Sequence, residues 1–132
     1  MTADHSRDGA DDPARRVAAA AVAQWKEIFS VLAPVLGHRG VAALYRRALS
    51  LSVRTYPFLG QAQGTSDPQT FERLHAVLAH QSVAEAIAAS HGMVTTFQAL
   101  LTSLIGPMLT DRLLGKTLQA AYNAPSREND AE

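Results

Sequence analysis

The sequence predicts an all-α fold, a compact bundle of four to five helices around a long central helix without charge. Three observations carry this. The stretch Ala86–Thr110, AIAASHGMVTTFQALLTSLIGPMLT, contains no Asp, Glu, Lys or Arg. A surface helix keeps a charged or polar face in water, so a helix without one is expected to be buried on all sides. Elsewhere apolar residues recur at three- and four-residue spacing, the period of a helix. No segment alternates with period two, so no strand is expected.

In chain order, residues 1–13 are polar and acidic and read as a disordered tail. A first helix runs from Ala14 to Ala33 with Val17, Ala21, Trp25, Ile28 and Leu32 inward and Val22 and Phe29 widening that face. Pro34 is expected to interrupt it, because proline lacks the backbone donor, and Gly37–Gly40 reads as a turn. A second helix, Val41–Thr55, buries Val41, Leu44, Tyr45, Ala48 and Ser52. Its outer side bears Arg46 and Arg47, with Arg39 and Arg54 at its ends. Pro57 ends it. Tyr56–Leu59 is expected to tuck aromatic groups under the bundle, and Gly60–Ser66 to be a flexible loop.

Asp67–Pro68 is a helix start, and that helix reaches His80 with Phe71, Leu74, Val77 and Leu78 inward. Ser82 and Glu85 form a capping box that opens the central helix. Gly106–Pro107 kinks or restarts it, and a last helix runs to Tyr122. The body is 14–123, and 124–132 is a second acidic tail. Leu104-Ile105-Gly106 echoes Val35-Leu36-Gly37, which reads as shared turn chemistry rather than a repeat.

The central helix has two unlike sides. Ile87, Val94, Leu101 and Met108 recur every seven residues, with Phe97 and Leu104 beside them, and are assigned to the core. The other side carries small residues. Thr95, Ala99, Thr102 and Gly106 would admit a second backbone, which predicts a homodimer with that patch at a two-fold interface. In the alternative, the Ala18–Ala23 run of the first helix fills that groove in a monomer. His91, Gln98, the hydroxyl residues and the Gly106-Pro107 break argue against a membrane span.

Charge adds a second surface. The net charge is zero, yet Arg15–Tyr122 holds ten basic and five acidic residues, and the tails hold two and seven. Arg39, Arg46, Arg47 and Arg54 are assigned as a partner-binding surface for an acidic protein. There is no cysteine, hence no disulfide, thiol nucleophile or thiolate metal site. The acidic, polar start is unlike a signal peptide, so a cytoplasmic protein is expected.

Residues 99–114, ALLTSLIGPMLTDRLL, and 35–49, VLGHRGVAALYRRAL, resemble parts of small all-helical proteobacterial proteins, an uncharacterised group associated with two-component signalling. The resemblance implies a helical regulatory role and no catalytic residues.

Candidate chemistry is sparse. Glu72-Arg-Leu-His75 has the Glu-x-x-His spacing of di-iron bundles but lacks a second copy and further carboxylates. His75, His80 and His91 lack the Lys and Gly that follow a phosphoacceptor histidine. No nucleophile context or phosphate-cradling loop is present. No enzyme, catalytic residue, metal or cofactor is expected. The leading reading is a non-enzymatic homodimer that regulates a bacterial signalling partner. The alternative is a small-molecule-binding bundle whose pocket is lined by Trp25, Phe29, Tyr45, Phe58 and Phe97, with arginines as anchors. A helix-turn-helix reader across Val83–Val94 ranks third. Its recognition helix would lack the cations that phosphate contact needs, so nucleic acid is not the expected partner.

Overall fold

The computed structural model describes residues 12–63 and 71–117. Helix α1 spans Pro13–Ser52 and is bent at Gly37 into two arms, 13–36 and 38–52. A 3-10 helix, Pro57–Ala62, follows. Helix α2 is Glu72–Ala79 and helix α3 is Val83–Ile105. Helix α4 occupies 107–117. The described residues contain no strand, so the fold is all-α, with the other helices gathered around the long ones.

The starts of α1 and α3 follow from their capping residues. The Asp12 carboxylate accepts from the Ala14 amide at 3.0 Å, and Pro13 occupies the first helical position, where its missing N–H costs nothing. Ser82 Oγ accepts from the Glu85 amide at 3.1 Å. Helix α1 thus starts inside the stretch read as a tail.

The break in α1 falls at Gly37, not at Pro34, which stays inside the first arm. Proline there removes one donor to the carbonyl of Ser30, an exposed residue that water can serve. Gly37 adopts φ 81° and ψ 155°, and Gly106 adopts φ 91° and ψ 158°. This region of backbone space is essentially open only to glycine. The two elbows therefore share one turn geometry, as their sequence echo suggests. Burial matches too: Val35 and Leu104 are exposed before the bends, and Val41 and Thr110 are buried after them.

The core forms where α3 packs on α1, with α2 and the 3-10 helix closing one side. Trp25, Ile28 and Leu32 from the first arm meet Val41, Tyr45 and Leu49 from the second, and Met93, Phe97 and Leu101 from α3. The 3-10 helix contributes Leu59 and Ala62, so residues 60–62 are ordered into the bundle rather than a flexible loop. Helix α2 buries Leu74, Val77 and Leu78, and Phe71 lies just ahead of it. Phe71 is left-handed, φ 54° and ψ 22°, so no helix runs through it. The expected start at Asp67-Pro68 lies outside the described residues, as do the stop at Asn123–Pro125, the ends of both tails and Leu118.

Candidate functional site: the outer face of α3, the arginines and a groove

Helix α3 is covered on one side only. Ala86, Ala89, Met93, Val94, Phe97 and Leu101 are buried, while His91, Thr95, Gln98, Ala99 and Ser103 are exposed. The expectation of burial on all sides is corrected here. Of the four residues assigned to a dimer interface, Thr95 and Ala99 are exposed, and Thr102 and Gly106 are half-buried. Gly92 belongs to the inside: a Cβ there would lie 2.9 Å from the Tyr56 ring.

The core stripe is corrected at its ends as well. Ile87, Leu104 and Met108 are 52%, 62% and 80% exposed. A seven-residue repeat on a straight helix drifts by about 20° per heptad, which carries Ile87 to the edge of the buried face. Leu104, seven residues after Phe97, keeps nearly the same direction but lies beyond Leu101, the last fully buried residue of α3. Gly106 ends the helix before Met108. Leu104, Met108 and Leu109 thus form an exposed apolar cluster in sequence around the second elbow.

Arg39, Arg46, Arg47 and Arg54 are all exposed, and none forms an ion pair with a carboxylate among the described residues. They follow the second arm of α1, whose inner positions Val41, Tyr45, Ala48 and Ser52 are buried.

The aromatic residues expected to line a pocket instead fill the core. Trp25 stands edge-to-face on Tyr45 and on Phe97, each at 5.1 Å between centroids, and Phe29 meets Tyr45 at 6.0 Å. Phe58 stands apart beside Tyr56, at 6.2 Å. Burial pushes the Tyr45 hydroxyl well above the ordinary tyrosine range, because a phenolate is poorly solvated there. The Trp25 indole N–H is buried without a hydrogen-bond acceptor among the described residues.

An open groove of about 650 Å³ lies elsewhere. Lys26, Phe29, Ser30, Ala33 and Pro34 line it from the first arm of α1, with His38 past the bend and Phe71 from the chain leading into α2. Only Phe29 belongs to the expected pocket. The signal for the rest was present in the spacing: 26, 29, 30, 33 and 34 share one face of a helix.

The histidines have ordinary roles where the structure defines them. His80 Nδ1 donates to the Ala76 carbonyl at 2.7 Å, tying down the end of α2. No three His, Asp or Glu residues converge as a metal-binding group among the described residues. Helix α3 is unbroken through Ser90–Gly92, so the turn required by the helix-turn-helix reading is not there. Among the described helices, Pro13–Ser52 alone has the length and composition to cross a membrane. It is bent at Gly37, and its Trp25–Leu32 face lies in the core.

No family model, curated protein or solved structure matches the chain.

Proposed function

We propose that this chain is a non-enzymatic helical interaction protein that pairs with a second copy of itself through the outer face of α3. One observation carries the reading. A helix that lacks any charged residue from Ala86 to Ile105 presents its outer half, through Ala88, Thr95, Ala99 and the edge residue Ile87, to solvent in the single chain. Small residues at Thr95 and Ala99 let a second backbone approach closely, and a two-fold axis supplies the same neutral surface. Burying a large aliphatic side chain is worth about 1.5–3 kcal/mol, so Ile87, at the edge of that face, adds to the gain from each copy. The arginines of α1 remain free to meet an acidic protein, and a bacterial signalling component is the partner we favour, in line with the sequence resemblance.

The chain contains no cysteine, which gives a clean test. A single cysteine at Ala99 should give a disulfide-linked dimer under mild oxidation, whereas one at Ser50, exposed on the arginine-bearing arm, should stay monomeric. Equal cross-linking from both positions, or none from Ala99, would remove the outer face of α3 from the interface.

A further inference from the structure

We propose that the groove beside the Gly37 elbow is a binding site for an amphiphilic organic anion, an apolar body ending in a carboxylate. The inference does not depend on self-association, because the groove is built from α1 and Phe71 rather than from the outer face of α3.

The floor is apolar and fixed. Phe29 and Phe71 are nearly fully buried, and their rings meet edge-to-face at 5.4 Å. Phe71 is held further by Tyr45, at 5.2 Å. Its left-handed backbone, costly for a residue with a Cβ, places the aromatic ring across from the first arm instead of continuing α2. Ala33 and Pro34 extend the apolar lining toward the bend. The volume, about 650 Å³, lies within the range of small-molecule sites, roughly 300–1,000 Å³.

Lys26 is the one formally charged side chain among the described lining residues. It brings an ammonium, with His38 adding an imidazole and Ser30 a hydroxyl, and among the described residues no carboxylate lines the groove. Glu27, next to Lys26, is exposed and is not part of the lining. An apolar floor with a cationic edge selects a ligand that is apolar along its body and anionic at one end. A cation would meet Lys26, and a fully polar anion would leave Ala33, Pro34 and the exposed edges of Phe29 and Phe71 unmatched.

The test uses the full chain with decanoate and 1-decanol as probes, read by titration calorimetry. Decanoate should bind with a stoichiometry of one per chain and at least tenfold more tightly than decanol. Lys26→Gln should erase most of that preference while leaving decanol binding unchanged. Ser30→Trp, at an exposed position on the groove wall, should abolish binding of both probes with the helical circular dichroism intact. Binding unaffected by Ser30→Trp would place the probes elsewhere and overturn the proposal. Equal affinity for the two probes, or no decanoate binding at millimolar concentration, would also overturn it.

Discussion

Replacing Gly37 by alanine should destabilise the protein even though the added methyl touches nothing. Among the described residues a Cβ at Gly37 has no neighbour within 4 Å, and the same holds at Gly106. The effect is therefore one of backbone conformation alone. At φ 81° and 91° an L-residue is strained by about 1–3 kcal/mol. Loss of chain freedom in the unfolded state returns about 0.4–1 kcal/mol. The net loss is about 1–2 kcal/mol, which for a chain of this length lowers Tm by roughly 4–8 °C. Gly115 supplies the control. It lies within α4, and among the described residues a Cβ there would meet only the Asp111 carboxylate, at 3.3 Å, on an exposed side chain that can rotate away. Gly115→Ala should raise stability by about 0.5–1 kcal/mol, the usual gain in a helix interior. Thermal melts followed by circular dichroism read both variants. The sign decides the matter. If α1 were one continuous helix, Gly37→Ala would stabilise it as Gly115→Ala does. A raised Tm for Gly37→Ala would refute the elbow.

Other outcomes follow from the same structure. Phe97→Ala removes a fully buried ring that packs on Trp25 and should cost about 3–5 kcal/mol, measured by urea denaturation. Arg46→Glu with Arg47→Glu changes exposed residues without ion-pair partners among the described residues, so Tm should move by less than about 0.5 kcal/mol equivalent. Binding to an acidic protein partner should be lost. Tyr45 has a raised folded-state pKa from burial, so the folded chain keeps its proton while the unfolded chain loses it above about pH 10. The stability is present below that pH and declines as pH rises above it, and one tyrosinate should appear at 295 nm only together with loss of helicity.

The buried faces of the individual helices were legible in the sequence because helical period alone decides them. Trp25, Ile28 and Leu32, then Val41, Tyr45 and Ala48, then Leu74, Val77 and Leu78 are all inside, as their spacing implies. What the period does not encode is how far neighbouring helices reach. Phe97 and Leu104 point in nearly the same direction, yet one is buried and the other, beyond the last buried residue Leu101, is not. The absence of charge from Ala86 onward predicts burial all round. In the single chain it marks a neutral surface instead. The candidate pocket failed for a related reason: periodicity brings Trp25, Tyr45 and Phe97 inward but cannot say whether the rings enclose space or fill it. The groove is legible in the spacing only along its α1 wall, because its closure depends on two backbone events, the positive φ of Gly37 and that of Phe71. Glycine advertises the first and nothing in a phenylalanine advertises the second.

The most direct test of self-association through α3 is the solution mass of the wild type and of Ala99→Arg, by multi-angle light scattering at high micromolar concentration. The wild type should show twice the 14.1 kDa chain mass. Ala99 is exposed in the single chain, so the arginine is harmless to the monomer but would be buried unpaired between two copies, at a cost of several kcal/mol. The variant should therefore be monomeric with unchanged helicity and an intact cooperative melt. A wild type that remains at 14.1 kDa, or a variant that dimerises as readily as the wild type, would contradict the account.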